Sequence, residues 1–363
     1  MVVTCLRSTL KDAVSVVERF TGKNPSLPII GNILLKVDGQ KIILKATNLE
    51  VGIEVTIPAK VTKEGVIAIP PRILSSILQT IPDEKISLEE KNNKLYIETE
   101  FTKSEIYGMD TKDFPILPAV KQGNRIQIQD QVLFKILSHI LPVITISDFK
   151  PEISGLHIRT EKTHLVFAGT DSFRLAEERT TAFEGDKEIH FIIPLRPLQE
   201  LVKIISVTSG EVKFLFNKDQ VQINIGNTQI ITQLIQGAFP DYKNLVPKEF
   251  STTVRALKTD LLVGTRLTSV FASKLNDVLL SYQKDRLILE IVNPDVGKHT
   301  KEMKAEVLGK SGHVGFNHRY LSDAIDAIES ETVFLGISDE TRPTVVKDES
   351  NPSFFSIIMP LRI

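Results

Sequence analysis

Apolar positions along this chain switch between a period near two and a period near 3.6, which divides it into short strands and helices. Val2 to Leu6 alternates as a strand, Ser8 is placed to cap a helix, and Leu10, Ala13, Val14 and Val17 form one helical stripe that Gly22 ends. Three strand-like runs follow, Ile29 to Val37, Lys41 to Ala46 and Val51 to Ile57, separated by the turn formers Asp38-Gly39 and Thr47-Asn48. The order then restarts with a strand at Ile67 to Ile69. Next comes a helix with Pro71 in its tolerant first turn and Ile73, Leu74, Ile77 and Leu78 as its stripe, then strands over Lys85 to Glu89, Lys94 to Thr99 and Ser104 to Met109. Strands at Arg125 to Ile128, Gly155 to Arg159, His164 to Ala168 and Arg174 to Glu178 flank helices at Val132 to Leu141 and Leu195 to Val207. The last third adds helices at Thr259 to Phe271 and His318 to Ile328.

The elements repeat as a block. Thr47-Asn48-Leu49-Glu50, Thr170-Asp171-Ser172-Phe173 and Val292-Asn293-Pro294-Asp295 each follow a strand and recur at intervals of about 123 and about 122 residues. Val66-Ile67-Ala68-Ile69-Pro70, Phe191-Ile192-Ile193-Pro194 and Val314-Gly315-Phe316, each leading into a helix, repeat in the same phase. The chain therefore reads as three copies of one domain, 1–122, 123–250 and 251–363. Asp113-Phe114-Pro115 and Phe239-Pro240-Asp241-Tyr242 close the first two. Each copy is a doubled motif of one helix and antiparallel strands, an α+β layer architecture with two helices per copy.

With 42% hydrophobic and 25% charged residues, each copy can bury a core of ordinary size. Apolar runs stop well short of the roughly 20 residues a bilayer needs, and no basic leader precedes an apolar stretch, so a cytoplasmic location is expected. Cys5 is the only cysteine; an internal disulfide and a multi-cysteine metal site are both ruled out, and its place in a strand predicts a buried thiol. A net charge of −1 limits any grip on nucleic acid to a local basic surface. The seven histidines form no His-x-x-x-His pair, and no glycine-rich phosphate loop occurs. His164 and Asp171 can be drawn as an acid–base pair, but no nucleophile accompanies them. An enzyme on a tripled scaffold is disfavoured, and no cofactor is expected.

Gly169-Thr170-Asp171-Ser172-Phe173-Arg174-Leu175-Ala176, Phe239-Pro240-Asp241-Tyr242 and Met359-Pro360-Leu361-Arg362-Ile363 resemble the β subunit of bacterial DNA polymerase III, the DNA sliding clamps. Leu27-Pro28-Ile29-Ile30-Gly31-Asn32 and Thr47-Asn48-Leu49-Glu50 resemble the same family, so the likeness spans all three copies in order. The resemblance implies two chains closed head to tail into a ring, with helices lining the hole and sheets outside. It implies a processivity factor that encircles double-stranded DNA without reading sequence and tethers the DNA polymerase III catalytic subunit, the clamp loader, other polymerases and repair proteins through short linear peptides. The DNA-facing residues it suggests are Arg7, Lys11, Lys23, Asn24, Arg72, Lys135, Arg196, Lys203, Lys258, Arg266 and Arg319, with Asp323, Asp326 and Glu329 an acidic stripe against them. A peptide pocket would be walled by Ile153, Thr170, Ser172, Phe173, Arg174, Leu175, Pro240, Asn244, Leu245, Ile357, Met359, Pro360, Leu361 and Arg362. Ring closure would set Ile73, Ser104 and Ile106 against Val270 and Phe271, with the charged run Lys301 to Glu306 beside the joined edges. Ser172-Phe173 replaces the family's common Gly-His, and Asn244 stands where a basic residue is frequent. These changes keep open a second reading, a clamp-like paralogue serving as an interaction hub or drug-tolerant spare copy.

Overall fold

The computed structural model describes residues 1–186 and 188–362. Six α-helices are present among them: α1 (Arg7–Val17), α2 (Pro71–Thr80), α3 (Asp130–Ile140), α4 (Leu195–Ile205), α5 (Lys258–Val270) and α6 (His318–Asp326). None is long and apolar enough to cross a membrane.

The chain divides into two compact units. The first holds residues 1–130, 184–186 and 199–234, and contains two sheets. One has five strands, with Val2–Leu6 inside it and Lys103–Tyr107 on an edge. The other has nine, and it joins strands of the first sequence copy to strands of the second. The join is the antiparallel pairing of Val51–Pro58 with Thr228–Gln233, in which Gly52 faces Ile231. The helices α1 and α2 pack together and bury Leu10, Ala13, Val14 and Val17 of one and Leu74 and Leu78 of the other.

The second unit is built on one twelve-stranded sheet. Here strands of the second copy join strands of the third through Arg174–Thr180 and Phe354–Ile358, with Leu175 facing Ile357. The helices α5 and α6 pack together, and α6 buries Leu321, Ala324 and Ile325.

Several expectations are corrected. The helix α1 starts at Arg7, so Ser8 is inside the first turn and is not its cap. The cap comes from outside the helix. Glu84 Oε1 accepts from the Ser8 amide at 3.3 Å and from the Ser8 hydroxyl, and these bonds hold the Glu84 carboxyl below its usual range. Pro28–Gly31 is a 3-10 turn, so the next strand begins only at Ile33. Ile73, assigned to a core stripe, is exposed because α2 buries Pro71, Leu74, Ser75 and Leu78 instead. Short strands at Lys60–Lys63 and Phe183–Gly185 carry too little apolar alternation to have been read. Cys5 is buried, and burial pushes its thiol up to about 12.

Asp348 supplies a pH-dependent brace in the second unit. Burial pushes its carboxyl up, but the Ser350 hydroxyl at 2.5 Å and the amides of Ser330 and Ser350 outweigh that and hold it at about 2. A depressed acid contributes stability that is complete above its unfolded value and fades as pH falls toward the folded one. Asp348→Ala is therefore expected to cost roughly 2 kcal/mol at pH 7. In urea titrations across pH, the gap to wild type should narrow between about pH 4 and about pH 2.

Candidate functional site: a peptide-sized cleft and a set of free cations

The strand His164–Thr170 ends in a turn that its own side chains close. Thr170 Oγ1 donates to the Arg174 carbonyl at 2.7 Å and accepts from the Ser172 amide at 3.1 Å. Asp171 Oδ1 accepts from the amides of Phe173 at 2.9 Å and Arg174 at 3.0 Å. These bonds hold Ser172 at a φ of 76°, an unusual conformation for a residue with a side chain. The turn pushes Phe173 outward, 60% exposed, while Leu175 returns to the sheet.

Beside this turn lies a cleft of about 840 Å³, within the range that holds a small ligand or a short peptide. Its floor is the upper face of a core cluster formed by Leu175, Ile357, Phe239 and Tyr242 with Ala168, Ile192 and Val345. Leu175 and Ile357 thus serve both as core and as floor. At the rim Phe173 and Leu245 are each 60% exposed and Met359 is 37% exposed, a concentration of apolar surface that water does not favour. The cleft also carries Lys150, Lys243, Lys248 and Arg342 against Glu152 and Glu249.

Most residues the resemblance suggested converge here: Ile153, Thr170, Ser172, Phe173, Arg174, Leu175, Pro240, Asn244, Leu245, Ile357 and Met359 all line the cleft. Pro360, Leu361 and Arg362 do not. Met359 donates its amide to the Phe173 carbonyl at 2.8 Å, and two residues later Leu361 donates to Gly315 at 2.8 Å, so the chain end turns away along another strand. Ile363 lies outside the described residues. Lys150, Glu152, Phe239, Tyr242 and the segment Val246 to Glu249 line the cleft without having been assigned to the pocket, as do Ser338, Arg342 and Pro343. The clustering of Tyr242, Leu245, Val246 and Pro247 between polar residues was the signal that could have found part of this wall.

Beneath the wall lies a buried polar cluster. Glu177, 1% exposed, accepts from Arg179 Nε at 2.6 Å, from Arg159 Nη2 at 3.3 Å and from the Tyr242 hydroxyl, which Arg159 Nη1 also meets at 2.8 Å. His157 stacks on Phe239 at 4.5 Å, and burial pushes its imidazole down to about 3, so it stays neutral at ordinary pH. His164 and Asp171 sit at opposite ends of one strand segment, and Asp171 is occupied by the turn and by Arg174, so they form no acid–base pair.

A second turn tests which features make the cleft. Thr47 Oγ1 donates to the Val51 carbonyl at 2.9 Å and accepts from Leu49 at 3.0 Å; Asn48 Oδ1 accepts from Glu50 at 3.0 Å and Val51 at 2.9 Å. Leu49, at a φ of 79°, repeats Ser172. In place of Leu175 stands Gly52, and a Cβ there would meet Leu117 Cδ2 at 2.5 Å. The groove at this turn, lined by Leu49, Glu50, Ile116 and Leu117 among others, is only about 110 Å³. A closed turn is therefore common to both places; a wide apolar floor belongs to one.

The basic residues fall into two groups. Arg7 donates to the Leu78 carbonyl at 3.1 Å and pairs with Glu84, Lys135 pairs with Glu329 at 2.6 Å, and Lys203 with Glu200 at 2.7 Å. Lys258 donates to the Asp326 carbonyl at 3.0 Å and to that of Ile328, closing the end of α6. Among the described residues, Lys11, Lys23, Arg72, Arg196, Arg266 and Arg319 make no ion pair, and all but Lys11 are exposed. Asn24 Oδ1 accepts from the Ser26 amide at 2.9 Å, which shapes its loop. Of the acidic stripe, Asp323 and Glu329 are paired to Arg174 and Lys135.

At the suggested closure surfaces, Ile73 and Val270 are exposed and Ser104 is half-buried. Ile106 is 2% exposed, so its side chain is core and only its backbone is on the edge strand. Phe271 is half-buried and stacks on His299 at 5.5 Å. The strand Gly297–Gly309 pairs with residues 286–293 along one edge and with 252–256 along the other, which leaves 297–304 with one edge unpaired. In the charged run, Glu302 and Glu306 are paired within the chain to Arg286 and Arg255.

Models of the DNA polymerase III beta subunit match in order: the N-terminal domain over residues 1–118, the central domain over 127–241 and the C-terminal domain over 243–362. The beta sliding clamp of Synechocystis sp. is 28% identical, with all of both chains covered, and that of Staphylococcus epidermidis 26% identical over 93% of each. Among solved structures, the DNA polymerase III beta subunit of Thermotoga maritima superposes with a TM-score of 0.92 at 22% identity, covering 100% of this chain and 99% of that one. A sliding clamp of Bartonella birtlesii bound to griselimycin superposes with a TM-score of 0.95 at 24% identity, covering both chains fully. Three domain models in sequence, relatives aligned along the whole length and one shared fold agree: the chain belongs to the family of DNA polymerase III beta subunits, the DNA sliding clamps.

Proposed function

We propose that two copies of this chain close head to tail into a ring around duplex DNA, and that the cleft beside Phe173 captures short peptides of the replicative polymerase and of other proteins working on DNA. The observation that carries the second half is the cleft itself. Its apolar floor and rim are suited to Leu- or Phe-type anchors, and its few polar edges would orient the peptide backbone. Met359 is an adaptable wall that would accommodate more than one partner.

The DNA face in this reading is narrower than the sequence suggested. Lys11, Lys23, Arg72, Arg196, Arg266 and Arg319 remain available to phosphates, whereas Arg7, Lys135, Lys203 and Lys258 have partners within the chain. A few weak phosphate contacts carry no base information, which is what a sliding protein requires. The unpaired edge of residues 297–304 and the edge strand Lys103–Tyr107 are the surfaces that would join across the ring, and joining them would remove two aggregation-prone edges. Domains 1–122, 123–250 and 251–363 are the units that would repeat around it. The chain would act in the cytoplasm as a non-catalytic partner that raises the polymerase's local concentration at the template. No observation favours the hub or spare-copy reading.

The test is retention on primed circular DNA after loading, followed by linearisation. Retention on the circle with loss from the cut ends is expected. Equal loss from both would mean an ordinary weak binder and would end the ring reading.

A further inference from the structure

We infer that Asp323, which lies outside the cleft, is a positioning residue for peptide capture, acting through Arg174; the inference rests on the peptide-cleft reading above. Arg174 is only 9% exposed, and its guanidinium reaches three separate places. Its Nε donates to Asp171 Oδ2 at 3.0 Å, Nη1 to Asp323 Oδ2 on α6 at 2.5 Å, and Nη2 to the Pro142 carbonyl, just beyond α3, at 2.6 Å. The ring of Tyr320, also on α6, lies 4.2 Å from its centre.

The first turn shows what this arrangement is not for. There the same side-chain bonds close the same backbone with Val51 at the position of Arg174. A turn of this kind closes without an arginine, so the three-way contact does not make the turn. It fastens the turn to α6 and to the end of α3. That anchorage occurs where the floor opens to about 840 Å³ and is missing where the groove is about 110 Å³.

The anchored turn in turn sets the cleft. Phe173 projects from it into the rim, and the Phe173 carbonyl accepts the Met359 amide at 2.8 Å, so the turn positions two apolar walls at once. Without the Asp323 charge, a buried guanidinium would keep one carboxylate, and the turn would be free to shift off α6. A cleft whose walls must be reordered on binding captures its ligand less tightly. Asp323 itself is 37% exposed at its side chain, so the fold tolerates its neutralisation better than loss of Arg174.

The experiment uses a fluorescein-labelled synthetic peptide with Leu and Phe anchors, titrated by anisotropy into the full-length wild type, Asp323→Asn and Asp323→Glu. Hydrogen exchange of residues 170–175 is measured on each protein without peptide. Asp323→Asn is expected to weaken the peptide about fivefold and to speed exchange in the turn, and Asp323→Glu to restore both, at unchanged urea midpoints. Wild-type peptide affinity in Asp323→Asn overturns the inference, whatever the exchange. If no protein binds the probe but Asp323→Asn still speeds exchange, the cleft reading falls while the anchorage of the turn by Asp323 is upheld.

Discussion

Replacing Leu175 and Met359 together with alanine is expected to weaken peptide binding about thirtyfold, on the basis that each truncation of a central apolar contact costs about 1 kcal/mol and the two act at one site. The two residues contribute differently. Leu175 is 4% exposed and forms floor, so its truncation removes contact area and also leaves a void under the ligand. Met359 is 37% exposed and forms wall, so its truncation acts on the ligand far more than on the fold. Met359→Ala alone should therefore reduce affinity at an unchanged urea midpoint, whereas Leu175→Ala should lower both. Self-association, read as the mass of the assembly in solution, should persist in the double variant, because neither residue belongs to the proposed closure surfaces. An unchanged affinity in direct titration would remove the cleft from the peptide reading.

A loss of about 3 kcal/mol in folding stability is expected for Glu177→Ala, read from urea unfolding. The carboxylate is almost wholly buried and accepts from Arg159, Arg179 and Tyr242. Its removal leaves the Tyr242 hydroxyl and part of the Arg159 guanidinium without an acceptor in a place water does not reach, and such orphaned donors are costly. Arg179 is much more exposed and can turn to solvent. The contrast makes the prediction specific: Arg179→Ala should cost well under 1 kcal/mol. Because Tyr242 lines the cleft and stands on this cluster, Glu177→Ala should also weaken the peptide, and Tyr242→Phe should reproduce part of that effect with a smaller loss of stability.

The departures noted in the motif acquire a physical meaning from these contacts. Ser172 holds a left-handed backbone conformation that glycine reaches without strain, and the bonds from Thr170 and Asp171 compensate for the side chain. Phe173 adds exposed apolar area at the rim. Asn244, which also lines the cleft, leaves its basic character to Lys150, Lys243, Lys248 and Arg342.

Much of this molecule was determined locally and could be read along the chain. The strand Val2–Leu6, the buried stripe of α1 and all six helices follow from apolar period, because one face of each element must leave water whatever it packs against. The turn at Thr170 is equally local, since its bonds run between residues at most four apart. Tertiary structure alone decided the rest. Whether Ile73 or Ser75 enters the core depends on what α2 meets, and a helical stripe does not specify its partner. Glu84 caps α1 from 76 residues away. Lys135 becomes a partner of Glu329, just beyond α6, and Lys258 of the end of α6, rather than free cations, because charges seek the nearest opposite dipole or charge in space and not in sequence. The sheet that carries the cleft joins the second sequence copy to the third through Leu175 and Ile357, a pairing 182 residues apart that no local pattern encodes, since any unpaired strand edge offers the same backbone donors and acceptors.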